Sequence, residues 1–198
     1  MKENLAKLTT AVLNPFLTGF VVIVLLSFEG SDGTAEAVKW ASLATVLSVL
    51  PVLAAVLYLV RRKKMDGVFE STRRQRVGVY LVATALGAVG YGLLAFLEAP
   101  QLLVATFATG LASIVVFSGI NLVWKISLHT AFMAGAAAIL VMVYGATAAW
   151  VVILLPPLAW ARMTLGQHTL AQVIAGALVA AVIVVLIFWS YGLLGQPA

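Results

Sequence analysis

Histidine occurs twice in these 198 residues, at His129 and His168, and each stands close to basic side chains. His129 ends the stretch Trp124-Lys125-Ile126-Ser127-Leu128-His129, and His168 ends Arg162-Met163-Thr164-Leu165-Gly166-Gln167-His168. A third basic group, Thr72-Arg73-Arg74-Gln75-Arg76, comes earlier in the chain. Arginine, lysine, serine and histidine with almost no carboxylate is a composition suited to phosphate. Guanidinium groups donate in pairs to phosphate oxygens and an ammonium adds a point charge. Ser127 lies where a helix begins, so backbone N–H groups there also face an anion. One imidazole can attack phosphorus and a second can protonate the leaving oxygen. Two histidines without a nearby carboxylate pair make a poor magnesium or zinc site, so neither metal nor cofactor is expected. A single histidine at a helix mouth is more often structural than catalytic. Two histidines gathered with several cations shift that balance toward chemistry.

The elements that position these residues follow from where the charges are absent. The chain has 12 Lys+Arg, 7 Asp+Glu and 63% hydrophobic residues. Its uncharged runs are 8–28, 40–60, 77–97, 99–124, 126–161 and 163–198. A membrane helix needs about 20 apolar residues, so the expected fold is all-α, a polytopic transmembrane helix bundle with six to seven spans forming one integral membrane domain over 1–198. Helices are predicted over 9–28, 38–60, 77–97 and 101–123. As a single helix the run 126–161 would measure about 54 Å, too long for a bilayer. Tyr144-Gly145-Ala146 and Pro156-Pro157 interrupt it, which predicts spans over 126–144 and 147–161, the second short enough to be partly re-entrant. A last helix is predicted over 169–194. The five tryptophans near span ends fit interfacial belts, and small residues such as Gly90 and Gly135 fit close helix contacts. Met1 to Phe28 reads as a retained first helix, because Asn14-Pro15 breaks the apolar run and no cleavage site follows.

The charge distribution predicts orientation. Seven of the twelve bases lie within 61–76, a topology signal rather than a nucleic-acid surface. With the N-terminus inside, Lys2, Lys7, those seven, Lys125 and Arg162 all face the cytoplasm, and only Lys39 falls outside. Even numbers of spans separate the three polar clusters, so all three share one face, predicted to be the cytoplasmic face of a plasma membrane. Zero cysteine excludes disulfides and thiolate metal sites.

These clusters resemble the signatures of the type-2 phosphatidic acid phosphatase superfamily. Arg162 to His168 matches the Arg-x5-His core of its third signature, Ser-Arg-x5-His-x3-Asp. Ser127-Leu128-His129 is similar to its second, Pro-Ser-Gly-His, and Arg73-Arg74-Gln75-Arg76 falls where its first, Lys-x6-Arg-Pro, supplies phosphate-binding bases. The resemblance covers about 73–172 and implies a phosphatase-like core over about 61–194. It implies His168 as the nucleophile that forms a phosphohistidine, and His129 as the acid for the departing lipid oxygen. Arg162, Ser127 and members of the Arg73, Arg74 and Arg76 group would cradle the phosphate, with Lys125 added from its proximity alone. The implied activity is metal-independent hydrolysis of a lipid phosphate monoester or pyrophosphate, with lipid and bilayer as partners and no nucleic acid.

The chain departs from those signatures at Ala161, Leu128 and Val77, where the family has Ser, Gly and Pro. Gln172 stands where the family has the Asp that orients the nucleophilic histidine. An amide can hold an imidazole by a hydrogen bond but does not neutralise its positive charge. Glu70 is a candidate substitute for that carboxylate. The neutral residue motivates the rival expectation of a non-catalytic lipid-phosphate binding or transport protein of the same fold. A small anion transporter or channel is a further alternative, disfavoured by spans that carry almost no ionisable residues.

Overall fold

Every regular element in the computed structural model is helical, among the residues it describes: 1–67 and 72–194, without the side chains of Arg73, Arg74 and Arg76. Glu70 lies outside the described residues. The elements are α1 (Lys2–Val12), α2 (Pro15–Glu29), α3 (Thr34–Leu47), α4 (Val49–Arg61), α5 (Arg73–Phe96), α6 (Gln101–Val123), α7 (Leu128–Tyr144), a 3-10 helix (Gly145–Leu154), α8 (Leu155–Thr164) and α9 (Leu170–Ser190). Six stretches among them are long and apolar enough to cross a membrane: Lys2–Glu29, Thr34–Arg61, Val77–Phe96, Gln101–Val123, Leu128–Thr164 and Leu170–Ser190. The chain is an all-α transmembrane bundle.

Several boundaries differ from the sequence expectation, each for a local reason. The first apolar stretch starts at Lys2 and is broken at Asn14, whose Oδ1 accepts the Leu17 N–H at 3.0 Å and caps α2 with Pro15 in its first position. Proline there needs no N–H partner. The second stretch divides at Ser48, because Pro51 cannot donate to the carbonyl four residues back and crowds the preceding turn. The segment expected as a span over 147–161 is a 3-10 helix followed by α8. The last helix ends at Ser190, short of 194, with Gly192 at φ +70° beyond it. Trp40, expected in an interfacial belt, is buried at 3% exposure, with its Nε1 donating to Glu36 Oε1 at 3.2 Å.

The chain forms two compact units, Met1–Gly19 with Lys125–Ala198, and Phe20–Trp124. In the second unit α5 and α6 make an antiparallel hairpin around Glu98-Ala99-Pro100, and α3 and α4 pack beside α5. Gly90 lets Phe107 of α6 approach so closely that a Cβ there would sit 2.9 Å from its ring.

The first unit explains how a 37-residue apolar stretch is accommodated. Drawn as one helix, Leu128–Thr164 would separate its ends by about 54 Å. Instead the Ser127 N–H bonds the Gln172 carbonyl at 3.3 Å, so the chain returns to where it began. Gly145, at φ +65° and ψ −148°, ends α7 in a conformation open to glycine and turns the chain. The 3-10 helix and α8 then run back along α7. Met133, Ala137 and Leu140 of α7 pack with Ala148, Val151 and Leu158 on the returning limb. α9 runs parallel to α7: Ser127 and Thr130 meet Gln172 and Val173, and Gly135 meets Ala180 and Val184. α1 packs on α8.

The parallel pair depends on Gly176. A Cβ at that position would lie 2.6 Å from the Ser127 carbonyl oxygen and 3.2 Å from Thr130 Oγ1. The first neighbour is backbone at the start of α7 and has no rotamer by which to yield. Gly176→Ala is therefore expected to destabilise the unit by about 1–3 kcal/mol, read as a lower midpoint in thermal unfolding in detergent. Gly19→Ala, with nothing within 4 Å of the added carbon, is the control.

Candidate active site

The spacing between Arg162 and His168 is a helix stop followed at once by a helix start. Arg162 lies in the last turn of α8. Its carbonyl accepts the Gln167 N–H at 3.1 Å, and Met163 O accepts the Gly166 N–H at 2.9 Å. Gly166 takes φ +64°. These paired bonds around a left-handed glycine make a Schellman ending. Thr169 then caps α9, its Oγ1 accepting the Gln172 N–H at 3.4 Å while the Thr169 N–H donates to Gln172 Oε1 at 3.3 Å. His168 falls between the two devices, where neither helix absorbs it.

Gln172 serves the cap and the histidine with one atom. Its Oε1 also lies 3.0 Å from His168 Nδ1. The Thr169 N–H can only donate, which identifies the amide atom facing it as the oxygen. The facing ring nitrogen must then be the donor, so neutral His168 carries its proton on Nδ1 and its lone pair on Nε2. An amide thus holds the imidazole in the orientation and tautomer a nucleophile requires.

Around this turn the polar residues of the first unit collect at the N-terminal ends of α7 and α9. Ser127, Arg162, His129 and His168 are all buried, Ser127 and Arg162 at 0% exposure. His129 is the second residue of α7. Ser127 Oγ has no hydrogen-bond partner among the described residues and does not cap α7, which leaves a buried hydroxyl at the amide end of a seventeen-residue helix. Thr130 Oγ1 lies 3.2 Å from Ser127 O and 3.1 Å from Val173 O, pinning this end of α7 to α9.

The electrostatics are one-sided. From Lys125 to the end of the sequence there is no Asp or Glu, and Met1–Gly19 contributes only Glu3, which pairs with Lys7 at 2.8 Å. Removing a guanidinium from water costs several kcal/mol. Arg162 is fully buried and engages neighbouring groups. An anion with several oxygens, received at a helix N-terminus, fits that charge balance. Among the described residues no three His, Asp or Glu side chains gather to hold a metal ion.

Of the residues singled out by sequence, His129, His168, Gln172, Ser127, Arg162 and Lys125 belong to this unit, with Lys125 partly exposed. Arg73, Arg74 and Arg76 form the first turns of α5 in the other unit, where Thr72 and Gln75 make a capping box and Gln75 Nε2 bonds Asp66 Oδ1 at 3.1 Å. Sequence reasoning missed Thr169, Thr130 and Gly176. For Thr169 a signal was present, since Thr-x-x-Gln ahead of an apolar run marks a helix start. Thr130 and Gly176 act across helices and leave no local trace. No protein-family model, no curated protein and no solved structure matches the chain.

Proposed function

We propose that the chain is a metal-independent membrane lipid phosphatase of the type-2 phosphatidic acid phosphatase kind, acting through a phosphohistidine. The observation that carries this reading is the contact between Gln172 Oε1 and His168 Nδ1, which leaves Nε2 as the nucleophilic atom. In this mechanism His168 Nε2 attacks phosphorus and the bond to the lipid oxygen breaks. His129 protonates that oxygen, then as base takes a proton from the water that attacks the phosphohistidine. Phosphate leaves, and both imidazoles return to their starting states. Arg162, the Ser127 hydroxyl and the first amides of α7 hold the phosphoryl oxygens, with Lys125 as a further base. Cations and amides set in place before the reaction stabilise the charge that builds on those oxygens.

The test is release of inorganic phosphate by the purified protein in detergent with a chelator present, from long-chain phosphate monoesters and diphosphates. Saturable release supports the reading. Tight binding with no release favours the non-catalytic relative, the alternative that Gln172 motivates.

From the charge bias we also propose that the site faces the cytoplasm, at the plasma membrane. The absence of native cysteine makes labelling clean. Single cysteines at Gly33, in the exposed α2–α3 turn, and at Gln167, in the site turn, are expected to react from opposite sides. An impermeant maleimide added to intact cells should modify only the first. Labelling of Gln167→Cys from outside reverses the orientation.

A further inference from the structure

In the second unit, α4 ends in a turn made of four consecutive cations. The stretch Thr34–Arg61 has 28 residues, at most about 42 Å of helix against a hydrocarbon core of about 30 Å. Arg61, Arg62, Lys63 and Lys64 stand at its end and therefore lie at the depth of lipid headgroups. All four are exposed. Lys63 takes φ +55°. Its N–H bonds the Val60 carbonyl at 2.9 Å, and the Lys64 N–H bonds the Leu59 carbonyl at 2.9 Å. This is the Schellman ending that α8 makes with Gly166, built here on a residue whose Cβ is strained in that region. The turn is anchored on both sides. The Arg62 guanidinium lies over the Tyr58 ring, 5.4 Å from its centroid, and Met65, directly after the cations, is buried.

A topology signal acts through charge alone and requires no fixed shape, so it does not account for a strained lysine between two anchors. Capping of α4 does not account for the side chains either. The carbonyls of Tyr58, Leu59 and Val60 are already bonded by the N–H groups of Arg62, Lys64 and Lys63. Among the described residues none of the four cations makes an ion pair, and Asp66 gives its Oδ1 to Gln75 Nε2 at 3.1 Å. We propose that Arg61–Lys64 form a binding site for the headgroup of an anionic phospholipid, a partner separate from any lipid turned over at the phosphate site. Guanidinium and ammonium donors fixed side by side suit phosphodiester oxygens, and bases next to a span attract anionic lipid. Lipid is the occupant because the turn sits at headgroup depth. The proposal does not rest on the phosphatase reading, and it holds for either orientation, since both membrane faces carry headgroups.

The test is quenching of a bimane dye by brominated lipid in vesicles, with the full chain carrying one cysteine. Leu57→Cys is exposed and one helical turn before Arg61; Val38→Cys, exposed on α3, is the control. Quenching by brominated phosphatidylglycerol is compared with quenching by phosphatidylcholine brominated in the same chains. At Leu57→Cys the preference for phosphatidylglycerol is expected to be about tenfold, and at Val38→Cys near parity. Equal quenching by both lipids at Leu57→Cys overturns the proposal, as does an equal preference at the control. Inorganic phosphate at matched ionic strength should leave the preference intact; its loss would make the turn a site for free phosphate and overturn the lipid assignment. Two variants then locate the charges. Arg61→Gln, Arg62→Gln and Lys64→Gln combined with Lys63→Gly should bring Leu57→Cys to parity. Lys63→Gly alone should lower the preference by about fivefold, the scale of one base near an anionic surface. Because it also relieves the backbone, its thermal midpoint in phosphatidylcholine should not fall. A preference unchanged in both folded variants overturns the proposal.

Discussion

His168→Ala is expected to lower phosphate release by about four orders of magnitude, the scale seen when a covalent nucleophile or its base is removed from a preorganised site. The loss is that large because in the proposed mechanism His168 supplies the atom that bonds to phosphorus; cation stabilisation alone would retain only a residual rate. Folding should change little. Gln172 Oε1 keeps the Thr169 N–H as a partner when the ring is gone, so the lost hydrogen bond costs about 1 kcal/mol. Arg162 and Ser127 are untouched, so the variant should still bind a long-chain phosphate. Two readouts separate a chemical role from a structural one: protection of the variant against thermal unfolding by alkyl phosphate, and an alkaline quench of wild type with labelled substrate. The quench should trap phosphate on His168 in wild type and none in the variant. Undiminished release from a folded His168→Ala protein removes this residue from the mechanism.

The second large effect lies at Gln172, in opposite directions for two substitutions. Gln172→Leu removes the oxygen that accepts from His168 Nδ1 and from the Thr169 N–H. The ring then loses its fixed tautomer, and turnover should fall by about a hundredfold or more, since a wrong tautomer alone costs a comparable or larger factor in a histidine-dependent site. Gln172→Glu preserves side-chain length, so both contacts remain in reach, and a carboxylate at the third position of α9 suits the capping box and the helix dipole. It adds the charge that favours the positive ring formed as His168 bonds to phosphorus. Turnover should rise by about tenfold, because that charge acts more strongly on the transition state than on the resting enzyme. Glutamate is a stricter test than aspartate, whose shorter chain does not match the capping geometry. The comparison is turnover at saturating lipid phosphate and matched folded fraction. A fall in turnover for the Glu variant sinks the orienting role assigned to Gln172.

The sequence carried the membrane architecture because charge spacing is a direct record of which residues sit in hydrocarbon. The helices expected at 77–97 and 101–123 differ from α5 and α6 by a few residues at most. The Arg162–His168 spacing was also readable, and the structure gives it a mechanical origin in a Schellman stop and a capped start. Breaks within apolar stretches were less visible. Pro51 lies inside a run that hydropathy reads as continuous, and the 3-10 winding of Gly145–Leu154 follows no periodicity that separates it from an α-helix. Contacts between elements distant in sequence left no mark at all. The packing of α1 on α8 and the demand on Gly176 are each set by a partner many residues away.

The absence of carboxylates from Lys125 onward has a consequence for proton accounting. Between about pH 4 and pH 9, the side chains that ordinarily change charge are Asp, Glu and His. In this segment His129 and His168 are the only ones. The larger part of the first unit therefore has two side chains of these types, and they are the two to which the proposed mechanism gives roles. Acidification does not strip a stabilising carboxylate from this segment, so a pH–rate profile can be taken well into the acid region with little confounding from local ion pairs. Glu3, at the far end of the sequence, is the one acid of the unit and already has Lys7. An acid limb that vanishes in a single histidine variant can then be attributed to that ring.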